Sequence, residues 1–339
     1  MRPVYIDGIG IISRCAKTVK DLEEIIKGGN ICCENGRLEF TSGISDAKLR
    51  RCSRYNKLAA AAADQARADG NVPDDINKLR VGTIISTGFG AVESNIAFSD
   101  SVVKGEPLKC SPTVFSGTVP NSCVGQICIL NGYKGVSTVL MGGDPLEYSA
   151  LLLNTKRADV IFSGSVEEYS EELFNAVSSY ETAKGCELSE GTAIMTLNSE
   201  KNERSYCSVS GFAIVSLSEY PYIHKLDESC SGIISDTVSQ LCSDAPDAVF
   251  TAENGTYFDS IERNALRKVF ADRTVYTAPK KLFGETLGSG YMLSAALAAV
   301  VLKHGNLPAV LGAKEAVRSI LVTGIDTAGN YCCALLNAV

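Results

Sequence analysis

The sequence predicts an α/β protein whose mostly parallel sheet is covered by helices on both faces. Three observations predict it. Short apolar runs of strand length alternate with helix-period segments from end to end. Thirty glycines and an aromatic content of 7% suit a chain with many tight strand-to-helix turns. At 339 residues and 45% hydrophobic, the chain can bury one large core or two fused halves.

The elements follow in order. Val4 to Ile12 alternates loosely and ends in a turn, as a strand does. Thr18 to Lys27 has helical spacing and stops at Gly28-Gly29. Residues 30–46 are polar and irregular. Asp46 to Ala68 reads as one long amphipathic helix that Gly70 stops. Arg80 to Ser86 is a buried strand, and Gly88 and Gly90 lead into a helix near 91–103. Pro120 sits like a first-turn proline before a helix to about Leu130. Thr138 to Met141 is a short apolar strand. Asp144 opens a helix through about Leu153, with Asp as N-cap, Pro145 at N1 and Glu147 at N3. Ala158 to Ser163 is a buried strand, followed by a short helix and a strand from Gly191 to Leu197.

The same grammar then recurs. Val209 to Ser216, Ala248 to Ala252 and Val275 to Ala278 are strands. Cys230 to Cys242 and Phe258 to Phe270 are helices, and Thr286 to Lys303 is a long apolar one. Strand-like runs near 309–312, 319–323 and 331–338 close the chain. Two rounds suggest similar halves joined near residues 198–207, although periodicity alone does not separate them from a single doubly wound sheet.

Composition narrows the function. A balance of 32 basic and 39 acidic residues gives −7 with no long charge run, which argues against a nucleic-acid stripe or a polybasic membrane patch. No apolar run reaches spanning length, and Asp7, Gly8 and Gly10 interrupt the first strand, unlike a signal peptide. A cytoplasmic protein is expected. Thirteen cysteines include the adjacent pairs Cys32-Cys33 and Cys332-Cys333 but no paired CxxC ligands, and His224 and His304 are the only histidines. Reduced cysteines, no metal and no cofactor are expected.

Six motifs lie in order along the chain: VYIDGIGIIS, KLRRCSRYNKLAAAAADQARADG, RVGTIISTGFGAVE, SPTVFSGTVPNSCVGQICILNGYKG, RADVIFSGSVEE and SEGTAIMTLNSE. Together they resemble the β-ketoacyl-acyl-carrier-protein synthases almost from end to end. The resemblance implies a thiolase-like α-β-α-β-α layered fold with two pseudo-repeated halves, residues 1–200 and 201–339. It also implies a dimer, with Thr138 to Met141 as the pairing edge strand.

Such an enzyme needs a thiolate at a helix N-terminus, where free N–H groups and the helix dipole favour negative charge, together with two histidines and a nearby lysine. The motifs place other residues there. Counting from Gly135, Asp144 falls on the nucleophile. Asn254, in AENGT, falls on the first histidine. Lys280 keeps the lysine and Glu285 falls on the second histidine, in KKLFGETLGSG. The family's glycine loop near the C-terminus is reduced to Asp326-Thr327-Ala328-Gly329-Asn330. The chain is also short between about 214 and 245, where family members carry loops over the entrance.

Asp144 reads as a helix cap, or else as an acid poised for proton transfer or decarboxylation. It is not an acyl-accepting thiol and would repel a malonyl carboxylate. Asn254, Lys280 and Glu285 read as a satisfied polar cluster, or else as a re-tooled site for a polar ligand. His224 and His304 read as structural. Cys123 reads as core or as a substitute thiol, and Cys128 lies off its face. The resemblance implies a partner of an active ketosynthase, similar to a chain-length factor, in fatty-acid, polyene or polyketide synthesis, with acyl carrier protein as a further partner in a homo- or heterodimer. The alternatives are a divergent acyltransferase or decarboxylase of the same fold, and a non-catalytic homodimer that binds acyl carrier protein or acyl-CoA.

Overall fold

In a computed structural model of the chain, residues 1–34, 36–105, 107–217 and 219–339 are described. The first half runs β1 (Val4–Ile12), α1 (Val19–Ile26), α2 (Asp46–Leu49), α3 (Arg54–Asp69), β2 (Val81–Thr87), α4 (Val92–Val103), α5 (Pro112–Ser116), α6 (Ser122–Asn131), β3 (Ser137–Met141), α7 (Pro145–Asn154), β4 (Val160–Glu167), α8 (Glu171–Ser178) and β5 (Gly191–Asn198). The second runs β6 (Cys207–Ser216), α9 (Cys230–Leu241), β7 (Ala248–Phe250), α10 (Phe258–Phe270), β8 (Val275–Thr277), α11 (Lys280–Phe283), α12 (Gly290–His304), β9 (Ser319–Ile325) and β10 (Asn330–Asn337).

All ten strands form one sheet in the order β3-β2-β4-β5-β1-β6-β10-β9-β7-β8. Read inward from its two edges, the order is 3-2-4-5-1 and then 8-7-9-10-6, the same path shifted by five strands. The halves meet where Val4–Ile6 of β1 lies antiparallel to Cys207–Val209 of β6. The link across this seam is pinned by the buried Asp7. Its carboxylate accepts hydrogen bonds from Asn202 Nδ2 at 2.6 Å, Ser205 Oγ at 2.7 Å and the Asn198 amide.

Helices fill three layers around this sheet. α3 and α6 cover the outer face of the first half, with Leu58, Ala62, Val124, Ile85 and Phe162 in their core. α9 and α10 cover the second half around Ile234, Val238, Leu266 and Val249. Between them lie α7 and α12, whose shared core includes Leu146, Leu153, Leu293 and Leu297. α12 is buried from Gly290 to Leu302 and packs on strands of both halves, β5 and β9. This is the layered fold expected. A helix apolar all round belongs in such a middle layer.

The close approach of α3 to the sheet depends on two glycines of β1. A Cβ at Gly10 would lie 1.8 Å from the Ala62 carbonyl oxygen, and one at Gly8 would lie 2.3 Å from Gly70 N. The alanine run of α3 supplies the matching flat surface.

Several expectations need correcting. The sheet is mixed: among the described residues, five of its nine strand pairings are antiparallel. The long helix of Asp46 to Ala68 is two helices, because Ser53 adopts extended backbone and its side chain caps α3 by accepting from Asn56 N. Pro120 lies ahead of α6 rather than at its first position. The run at 309–312 is a short 3-10 turn, Ala309–Leu311, ended by Gly312 at φ 108°. α12 begins at Gly290, not Thr286, because Leu287 takes φ 55° and cannot continue a right-handed helix.

Strand β3 lies at one open edge of the sheet. Met141 on this strand is 53% exposed, and Ile129 on α6, which packs against it, is 77% exposed. Among the described residues no helix is long and apolar enough to cross a membrane.

Candidate functional site

Three of the four motif residues converge. Asn254 lies in the loop after β7, Lys280 opens α11 after β8, and Glu285 follows α11. β7 and β8 are parallel, so their carboxyl ends deliver these loops to one place. The Glu285 backbone is fixed first, donating to Glu187 O at 2.7 Å and accepting from Ser189 N at 2.8 Å. Its side chain is then saturated. Oε2 accepts from Lys280 Nζ at 2.6 Å, Asn254 Nδ2 at 2.8 Å and the Tyr222 hydroxyl, while Oε1 accepts from Leu287 N at 2.6 Å.

Both charges are almost wholly out of water, at 3% and 0% side-chain exposure for Lys280 and Glu285. Asn254 is held from its other side. Its Oδ1 accepts from Thr256 Oγ1 at 2.8 Å, and its backbone N–H donates to Asp259 Oδ1 at 2.9 Å. A cleft of about 280 Å³ reaches this cluster past Glu253, Arg263 and Asp259. Arg263 and Glu253 form a bidentate pair at its rim.

Asp144 stands apart. Among the described residues no hydrogen bond or ion pair joins it to Asn254, Lys280 or Glu285. It caps α7, with Oδ1 accepting from Leu146 N at 2.8 Å and Glu147 N at 3.2 Å. Its Oδ2 accepts from the Tyr291 hydroxyl at 2.9 Å, inside the protein. The turn before it is closed by Asp326, whose Oδ2 accepts from Gly143 N and whose Oδ1 accepts from Ala328 N and Asn330 N. These N–H groups at the helix tip are therefore bonded to the protein's own carboxylates.

Burial pushes the Asp144 carboxyl up to about 7, against the opposing pull of Glu147 N, the Tyr291 hydroxyl and Leu146 N. Its ordinary value is 3.8. Between these two values the folded chain holds a proton that the unfolded chain releases. The contribution of this group to stability is therefore complete below pH ~4 and is lost as the pH rises through ~7. Asp144→Asn keeps a capping oxygen and removes the charge. Its melting temperature relative to wild type is expected to rise between pH 5 and pH 8, and a constant difference across that range would contradict the raised carboxyl. Asp144→Ala loses the cap as well, at about 1 kcal/mol.

The remaining candidates lie elsewhere. Cys123 is buried with Sγ 3.3 Å from the Tyr55 hydroxyl, and burial pushes its thiol up to about 12, the opposite of an activated thiolate. Cys128 Sγ lies 3.8 Å from Thr83 Oγ1. His224 is exposed beside Glu219 at 3.8 Å, and His304 faces Glu23 at 3.9 Å. Neither imidazole reaches the cluster. Among the described residues no three His, Cys, Asp or Glu side chains group as a metal site.

Two tyrosines were missed by sequence reasoning. Tyr222 supplies a hydroxyl to Glu285 and Asn254 from a segment that reads only as loop. Tyr291 lies just past KKLFGETLGSG, in the first turn of α12, and its hydroxyl reaches Asp144 from there.

The comparisons with known proteins bear on the fold. No family model matches the chain. It is 22% identical to a 3-oxoacyl-[acyl-carrier-protein] synthase 2 of Coxiella burnetii over 91% of this chain and 87% of that protein. Among solved structures, the ishigamide ketosynthase/chain length factor superposes with TM-score 0.82 at 17% identity, covering 100% of this chain and 99% of that one. A ketosynthase in complex with its chain length factor from Xenorhabdus doucetiae gives TM-score 0.79 at 15% identity, covering 100% and 98%.

Proposed function

Taking the chain as a divergent relative of the β-ketoacyl-acyl-carrier-protein synthases, we propose that it is a partner subunit with no condensing chemistry of its own. It pairs along β3 with an active ketosynthase in the cytoplasm. It shapes the path of a chain carried on an acyl carrier protein, in fatty-acid, polyene or polyketide synthesis. The chain divides into two ketosynthase-like halves, residues 1–200 and 201–339, and the pairing edge belongs to the first.

The tip of α7 carries this reading. Acyl transfer needs a nucleophile that forms a thioester and free N–H groups that bind the developing oxyanion. Asp144 has no sulfur, and its two nearest helix N–H groups already donate to its own carboxylate. No imidazole stands beside it, and both Glu285 oxygens are already occupied by four donors of the protein. The open edge of β3, with Met141 exposed on it, supports a dimer.

The purified chain, incubated with acyl-carrier-protein thioesters or with cerulenin, is expected to keep its unmodified mass. Co-expressed with a ketosynthase that keeps the Cys-His-His set, it is expected to elute as a one-to-one complex. A covalent adduct on Asp144 or on any cysteine overturns the reading. So does a turnover that Asp144→Ala abolishes, which would favour a decarboxylase or acyltransferase instead.

A further inference from the structure

Loop residues 219–226 turn inward over the Asn254–Lys280–Glu285 cluster without forming helix or strand. The turn is tight, with Ile223 N and His224 N both donating to Tyr220 O. It drives two aromatic rings inward while Ile223, His224 and Lys225 stay exposed. Tyr220 and Tyr222 meet edge to face, with ring centroids 4.9 Å apart. They pack among Leu287, Val177 and Ala183, which come from both halves of the chain.

Few bonds hold this segment. Thr182 Oγ1 donates to Tyr222 O, Tyr257 OH donates to His224 O at 2.9 Å, and Leu226 N donates to Tyr257 OH at 2.8 Å. The firmest link is the Tyr222 hydroxyl on the Glu285 carboxylate, a hydrogen bond to a charged group inside the protein. Tyr220 is different. Among the described residues its hydroxyl is buried with no partner, and burial, with Glu285 and Glu167 nearby, raises its pKa well above the usual tyrosine value. Thr286 Oγ1 and Ser289 Oγ, on the loop below, are also buried without partners. A ring whose hydroxyl finds no acceptor fills space without completing a polar network.

We propose that residues 219–226 are an internal plug, latched by Tyr222, that occupies the space through which an acyl-pantetheine arm would reach Asn254, Lys280 and Glu285. The inference rests on the functional reading above and adds how that site is kept shut. With the plug in place the arm has no path past residues 219–226 to the cluster, and a thioester-linked chain binds only weakly. With it displaced, Tyr220 and Tyr222 vacate the space between Leu287, Val177 and Ala183 and the Glu285 carboxylate.

The test uses the full-length chain and hexanoyl-pantetheine as the probe. The Tyr220→Ala/Tyr222→Ala double variant is expected to bind the probe at least about tenfold more tightly than wild type in titration calorimetry. A folded double variant that binds no better than wild type overturns the plug. If that variant does not fold, Tyr222→Phe decides, since it keeps the ring and removes only the latch. It is expected to speed amide hydrogen exchange of residues 219–226 by about tenfold while α12 keeps its protection, and unchanged exchange overturns the proposal. The outcomes separate from those of the functional reading. A chain that forms no adduct and pairs with a ketosynthase, yet whose double variant binds no probe, loses the plug and keeps the partner role.

Discussion

Replacing Glu285 with alanine is expected to destabilise the fold by about 3–5 kcal/mol, because it leaves the Lys280 ammonium buried and unpaired. Lys280 Nζ lies 2.6 Å from the carboxylate, and neither side chain is more than 3% exposed. Removal also strands the Tyr222 hydroxyl proton and Leu287 N, which donate to Glu285, and leaves Asn254 Nδ2 with only the Tyr222 oxygen as acceptor. The loss is expected to come from the stranded charge rather than from the pair itself. Lys280→Met in the Glu285→Ala background should therefore return a large part of the stability. Urea denaturation of the two single variants and the double variant closes the cycle. Strictly additive losses would show that the two side chains do not act as a pair.

Gly10→Ala is expected to cost about 3 kcal/mol or more, as an overpacked contact that cannot relax through a rotamer. The added methyl would meet backbone at Ala62, not the end of a flexible side chain. Either α3 moves off β1, opening gaps among Leu58, Ala62 and Ile194, or the strand bends. Gly125→Ala is the control, since nothing lies within 4 Å of its added Cβ and it sits within α6. Thermal melts of both should separate widely. Equal melting temperatures would mean that the approach of α3 to the sheet is looser than its coordinates.

How much of this was legible in the sequence follows from the range of the interaction responsible. Strand and helix identities were legible because period and turn chemistry are local. Phe258 to Phe270 and the cap at Asp144 show this. The break at Ser53 was hidden by unbroken helical spacing on either side, although serine is a good cap. The late start of α12 was hidden because Leu287 is turned into the left-handed region at a loop that Glu285 holds by its side chain. The direction of β5, antiparallel to β4, was hidden because the connection over 168–190 carries helix α8, just as a parallel crossover would.

At the site, motif spacing found Asn254, Lys280 and Glu285, and the structure joins them by hydrogen bonds and an ion pair. It did not find Tyr222, which reaches Glu285 across 63 residues of chain. Nor did it find that Asp144 is sealed by a hydroxyl 147 residues away. Long-range partners of this kind leave no spacing to read. They are also what turns a set of unusual substitutions into a filled interior.

The repeated strand path invites one to think of two modules that could be cut apart. The placement of α12 forbids it. That helix belongs to the second half by sequence, yet it lies on β5 as well as β9 and is buried along nearly its whole length. Severed from its twin, either repeat would bare a greasy wall. The two strand paths are therefore expected to melt together, as one cooperative unit.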